Sequence, residues 1–237
     1  MQYKKATTMK VLICFTGLVR TISETAENLK KNLFHDDYTV KVVFITWIGE
    51  NVDDFIKVFP EATIYTIPII SINDEHFLEW KKYTIMHSSW INIYGNNDTA
   101  LFQYYRQIFL WKQGSILLEN QCDFDIFVRA RTDVKLSGNL LHEYYRKINT
   151  TNVFFPNEPR YSFIEEIGCP DYFFLAKYKV FHHCLSIIDY INFLYMEYMI
   201  PIQPETVMHF HILNKDFHLD YMDNIVSIVR PVGFSKI

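Results

Sequence analysis

The chain has 237 residues, of which 23 are basic and 27 acidic, for a formal net charge of −4, and 49% are hydrophobic against 21% charged. That composition excludes a wholly disordered chain, and a chain of this length buries enough surface to fold without disulfides or a structural metal. The acidic balance excludes a general nucleic-acid coat, and no segment approaches the ~20 apolar residues of a membrane span.

In chain order, residues 1–9 read as a polar tail and 10–237 as one domain. Val11 to Phe15 is a short, continuous apolar run, the pattern of a strand buried on both faces. Thr16-Gly17 breaks it, and Thr21-Ile22-Ser23-Glu24 reads as a capping box opening a helix to about Leu33. Thr39 to Trp47 and Thr63 to Ile67 are further strands, the latter ended by Pro68. Asn73 to Tyr94 is mixed and partly helical. A stronger helix runs from a cap at Asp98 to Glu119, followed by a strand from Ile126 to Arg131 and a polar helix from Leu140 to Lys147. Strands are expected at Val153–Phe155 and Tyr172–Ala176, one long apolar helix at Tyr178–Met199, and a shorter one at Pro204–Leu213 with proline at its start. Ile225 to Arg230 reads as an edge strand. The order of strands and helices predicts an α/β, Rossmann-like fold, with a mostly parallel central sheet flanked by helices.

Four scattered cysteines without a C-x-x-C pair predict a reducing, cytoplasmic setting and no zinc ribbon. The aromatic content of 17% is high, and is explained either by ligand-stacking surfaces or by core packing.

Ligands of open α/β sheets bind beyond the carboxyl ends of the strands. The D-x-D at Asp123-Phe124-Asp125 precedes its strand and is therefore read as a solvated turn rather than a metal site. The opposite end of that strand carries Arg129-Ala130-Arg131-Thr132-Asp133. Alternation puts Arg129, Arg131 and Asp133 on one side. Two readings are open there. One is an internal salt-bridge network closed by Asp133 or another carboxylate. The other is an anion site in which the arginines grip phosphate and Asp133 holds a divalent cation or a ribose hydroxyl. Thr16-Gly17-Leu18-Val19-Arg20, between the first strand and a helix, would complete a diphosphate-sized pocket, although a lone glycine is neither a dinucleotide fingerprint nor a P-loop. His209 and His211 lie two apart on a helix and cannot chelate jointly.

The ordered set Cys14-Phe15-Thr16-Gly17-Leu18-Val19-Arg20, Phe44-Ile45-Thr46-Trp47, Gln103-Tyr104-Tyr105, Arg129-Ala130-Arg131-Thr132-Asp133, Pro170-Asp171-Tyr172-Phe173-Phe174 and Pro204-Glu205-Thr206 resembles the GT-A-type glycosyltransferases of large DNA viruses and of bacterial surface-polysaccharide clusters. The resemblance spans about residues 10 to 215. In that family the R-x-R-x-D segment stands where other GT-A enzymes carry D-x-D, and Arg131 takes the place of the first aspartate. The resemblance implies a nucleotide-diphosphate sugar as donor and a glycan or glycolipid as acceptor. Thr16, Gly17, Arg20, Arg129 and Arg131 would then line the donor site, Asp133 would ligate Mn²⁺ or Mg²⁺, and Trp47 and Tyr105 would stack on the base or sugar. Inverting transfer needs a base for the acceptor hydroxyl. The candidates are Glu165, Glu166, Asp171 and Glu205, with Asp171 favoured because it opens a buried strand. The alternative is a non-catalytic carbohydrate- or nucleotide-binding domain that keeps the fold. Neither a nucleic-acid partner nor an oligomeric state is indicated.

Overall fold

A computed structural model describes residues 8–157, 169–198, 202–223 and 226–229. The candidate bases Glu165 and Glu166 lie outside them. Seven strands form one sheet in the order β3-β2-β1-β4-β7-β6-β8. These are β1 (Met9–Thr16), β2 (Tyr38–Trp47), β3 (Thr63–Ile67), β4 (Ile126–Ala130), β6 (Asn152–Pro156), β7 (Phe173–Ala176) and β8 (His218–Met222). Strand β7 alone runs against the other six. A second, two-stranded sheet joins β5 (Val134–Leu136) to β9 (Val226–Ile228) in antiparallel register.

The continuous apolar runs of β1 and β4 arise because helices cover both sheet faces. Leu12 and Cys14 of β1 face the layer built on α5 (Asn97–Leu117), with α3 (Glu75–Lys81) and α7 (Tyr178–Leu185) beside it. Val11, Ile13 and Phe15 face the layer of α1 (Ile22–Leu33), α2 (Asp53–Val58) and α6 (Leu140–Tyr144). In this second layer Phe15, Phe44, Phe55 and Phe59 pack ring on ring, with centroids 4.3 Å apart for Phe44 and Phe55. Burying each such ring contributes about 1.5–3 kcal/mol. Much of the aromatic surplus is thus core. Helix α5 approaches β2 closely because Gly114 lacks a side chain; a Cβ there would stand 3.0 Å from Ile45 Cδ1.

Several local expectations change. Thr21 does not cap α1 with its side chain; its hydroxyl donates instead to the carbonyl of Val229, tying the chain's last described segment to this helix. Helix α5 is capped by Asn96, whose side chain accepts from Thr99 N–H at 2.8 Å, while Asp98 pairs with Lys81. The mixed stretch contains α3 and α4 (Ser88–Tyr94). The expected long helix breaks into α7, a 3-10 turn at Ile187–Asp189 and α8 (Ile191–Tyr198). Ser186 is the breaking point, since its N–H and hydroxyl both turn back onto the end of α7. The expected edge strand is β9, which pairs with β5 rather than with the large sheet. Helix α9 runs over Pro204–Leu213, as its proline start predicts. Among the described residues, no helix is long and apolar enough to cross a membrane.

His183 of α7 and His211 of α9 stack at 3.8 Å, and each ring Nε2 donates to the other's backbone carbonyl, at 2.7 and 2.6 Å. Burial, with His183 and Lys215 nearby, holds His211 down at about 3 against an ordinary 6.5. The unfolded chain therefore binds a proton that the folded chain refuses. The stability from this neutral contact is complete above about pH 6.5 and is lost as pH falls toward 3. His211→Gln, which can still donate to the same carbonyl, is expected to flatten this acid dependence by about 2 kcal/mol between roughly pH 7 and 5. Urea midpoints of both proteins across that range measure the difference, and parallel curves would remove His211 from the account.

Candidate functional site

The parallel core places the carboxyl ends of β1, β2 and β4 side by side. Thr16 ends β1, and Gly17 follows at φ +114°, a conformation that side-chain-bearing residues avoid. The Gly17 N–H donates to Ile45 at 3.1 Å, Val19 N–H to Glu50 at 2.8 Å, and the Thr132 hydroxyl to the Leu18 carbonyl at 2.8 Å. This loop is fixed before any ligand arrives.

Arg129 lies opposite Cys14 in the β1–β4 register, so alternation aims it at α5. Its side chain is buried. Nε and Nη2 donate to the Thr16 hydroxyl at 3.3 and 3.1 Å, and the guanidinium lies 4.7 Å from the Trp111 ring. Nη1 has no hydrogen-bond partner among the described residues. Burial lowers its pKa to about 10, opposed by nearby Asp171, so it remains a cation at neutrality. Such a group is costly to bury unless an anion meets it.

Arg131 grips Asp133 with both arms of its fork, Nε to Oδ1 at 2.9 Å and Nη2 to Oδ2 at 2.7 Å. Arg20, half-exposed, adds Nη1 to Oδ2 at 3.1 Å. Burial works against the charge of Asp133, but Arg131 and then Arg20 outweigh it and hold the carboxyl below its usual range. The internal network that the alternation allowed is therefore formed. From α5, Gln103, Arg106 and Gln107 complete the wall, with Arg106 lying 5.0 Å over the Trp47 ring. Together these residues enclose a cleft of about 140 Å³ with four guanidinium groups and one carboxylate on its wall. Trp47 lines it, half occupied by Arg106. Tyr105 does not line it; its ring packs on Phe77 and Trp80 of α3, so stacking on a donor is replaced by core packing.

Beside the cleft lies a carboxylate pair. Asp171 precedes β7, where Arg131 N–H still pairs with the Tyr172 carbonyl, and so reaches the same sheet end. Its carboxylate accepts from Gln107 Nε2, which links it to the cleft wall. Glu205 sits in the first turn of α9, with Oε2 buried and lacking a hydrogen-bond partner among the described residues. Burial first, and then Asp171, push its carboxyl up to about 8. Near neutrality Glu205 therefore keeps its proton. The same two groups, after burial, raise the Tyr104 phenol.

No protein-family model matches the sequence, and no curated protein does. Among solved structures, mouse xyloside xylosyltransferase 1 in its apo form superposes over 91% of this chain and 85% of its own, at a TM-score of 0.50 and 11% identity. The galactosyltransferase LgtC, in complex with donor and acceptor sugar analogues, matches over 90% of this chain and 73% of its own, with a TM-score of 0.46 and 13% identity. The fold is of GT-A type.

A divalent cation in a GT-A fold requires carboxylate oxygens that are free to ligate. Both oxygens of Asp133 already accept from guanidinium groups, and no cluster of three potential ligands exists among the described residues. This donor set does not fit Mn²⁺ or Mg²⁺. The Asp123–Asp125 pair does not supply one either, since it clamps the start of β1 through the N–H and ammonium of Lys10. The cleft-lining residues to which the sequence reading gave no role are Gln103, Arg106 and Gln107. Their signal was present, as a polar i, i+3, i+4 stripe between the apolar positions of the helix middle.

Proposed function

We propose that this protein is a glycosyltransferase that moves a monosaccharide from a nucleotide-diphosphate sugar to a hydroxyl of a glycan or glycolipid acceptor. The observation that carries this reading is the buried Nη1 of Arg129, without a hydrogen-bond partner among the described residues, at the carboxyl end of a GT-A-type sheet and within a cleft of four arginines. Its fixed charge is suited to a diphosphate, because it needs no reorganisation as the leaving group gains negative charge. In the transfer, the acceptor oxygen bonds to the anomeric carbon, the bond to the β-phosphate oxygen breaks with its electron pair passing to the diphosphate, and Asp171 takes the acceptor proton. Glu205, retaining its own proton, does not compete for that role. The motif resemblance to enzymes of large DNA viruses and bacterial polysaccharide clusters supports a surface glycan or its lipid-linked precursor as acceptor.

A cleft of 140 Å³ is smaller than the ~300 Å³ typical of whole-ligand sites, which matches a pocket for the diphosphate rather than for the entire donor. At ligand about 100-fold above its Kd, one uridine, guanosine or thymidine diphosphate sugar is expected to stabilise the fold by about 2.7 kcal/mol, read as a rise in Tm. If no nucleotide sugar raises Tm, the donor site is lost and the function with it. The engagement of Asp133 by arginines favours one rival, a binding domain without turnover. Slow hydrolysis of the donor without acceptor would exclude that rival.

A further inference from the structure

We infer that this chain neutralises the donor's diphosphate with arginine side chains in place of a divalent cation, and that Asp133 serves to position those arginines rather than to ligate metal. The inference rests on the glycosyltransferase reading and concerns how its donor site works.

The geometry of Asp133 decides against a cation. A metal at its carboxylate would displace at least one of three charge-assisted hydrogen bonds, at 2.7, 2.9 and 3.1 Å. Displacing the bidentate pair would leave Arg131, only 20% exposed at its side chain, without its counter-charge. The incoming ion would also join four guanidinium groups of its own sign. Each of these facts opposes metal, and each favours an anion.

The arginines are fixed in ways a flexible surface cluster is not. Arg129 is clamped between the Thr16 hydroxyl and the Trp111 ring, with Nη1 left over. Arg106 rests on Trp47, and its Nε is buried without a hydrogen-bond partner among the described residues. Arg131 commits Nε and Nη2 to Asp133, which sets the plane of its fork, and Arg20 is tethered to the same carboxylate by Nη1 alone. A single buried carboxylate thus orients two arginines, while an aromatic ring supports each of the other two. Planar forks held in this way meet phosphate oxygens bidentately, which a mobile lysine would not do. Asp133 is therefore a positioning residue, one step removed from the ligand.

Titration calorimetry of the full chain with inorganic pyrophosphate and with uridine, guanosine and thymidine diphosphates, first in EDTA and then with Mn²⁺ or Mg²⁺, tests this. The expected result is binding in EDTA, a Kd unchanged within about twofold by the metal, and affinity that weakens as salt rises. Arg20→Gln, at the most exposed arginine, is expected to weaken metal-free binding about tenfold without unfolding the chain. Asp133→Asn should weaken it by a similar factor whether or not metal is present. Binding that appears only with Mn²⁺ or Mg²⁺ would overturn the arginine mechanism and leave the glycosyltransferase reading standing. Absence of diphosphate binding under both conditions would overturn that reading and this inference together.

Discussion

Asp171→Asn is expected to lower sugar transfer by about 10²–10⁴-fold while leaving nucleoside diphosphate affinity within about twofold of the wild type. The separation follows from position. Among the described residues Asp171 reaches the cleft wall by a hydrogen bond from Gln107, whose amide N–H can donate equally to the oxygen of an asparagine, and by its field at Arg129 and Arg131. The wall that faces the diphosphate is built from arginines on other elements. Asparagine therefore removes the proton acceptor and one negative charge near Arg129 and Arg131, but no group that faces the diphosphate. Initial-rate assays with a matched acceptor, beside calorimetry with the diphosphate, read the two quantities independently. A variant with full transfer activity would eliminate Asp171 as base, and one that lost diphosphate binding in parallel would make it part of the donor site. The pH profile adds a check. Burial and Asp171 push the Glu205 carboxyl up to about 8, so the wild-type rate should decline on the alkaline side as Glu205 loses its proton. In Glu205→Gln that limb should vanish.

The sequence made the sheet legible for a physical reason. Strands buried on both faces, such as β1 and β4, leave continuous apolar runs that no surface constraint interrupts. The position of Arg129, Arg131 and Asp133 followed from period-two alternation and from the rule that ligands sit at the carboxyl strand ends. That same rule set aside Asp123 and Asp125, which bind Lys10 at the opposite end. What stayed hidden depended on partners distant in sequence. Strand β5 is three residues long and carries no local signal, and although β9 reads as an edge strand, its partner lies about ninety residues upstream, so their pairing stayed hidden. Strand β8, with His218 and Asp220 in its short run, carried no expectation from the sequence. The pairing of Asp133 with Arg20 crosses 113 positions. Spacing alone left Asp133 open to a salt bridge or to a cation, and the arrival of Arg20 from the β1–α1 loop, beside Arg131, is a contact that spacing does not show. Tyr105 failed as a stacking residue for a similar reason: helical periodicity places it, but only α3, packed across it, shows that its face is core.

Arg129→Met is expected to weaken nucleoside diphosphate binding about 100-fold and yet to leave the protein as stable as the wild type or more so. Two opposing terms set the sign of the stability change. Methionine loses two hydrogen bonds to the Thr16 hydroxyl, at roughly 1 kcal/mol each. It also removes a fully buried charge whose Nη1 has no partner among the described residues, and an apolar replacement of a buried ion is commonly neutral or stabilising by about 1–4 kcal/mol. A thioether stem can occupy the same place against Trp111, since sulfur–aromatic contact is itself favourable. A purely structural arginine would behave in the opposite way, because its removal would unfold the core and affect binding only through that loss. Urea unfolding and diphosphate calorimetry on the one variant distinguish the two. Marked destabilisation with undiminished affinity in the folded fraction would assign Arg129 to the scaffold. Retained stability with lost affinity would mean that the chain tolerates an unfavourable buried charge at this position because a ligand's anion completes it.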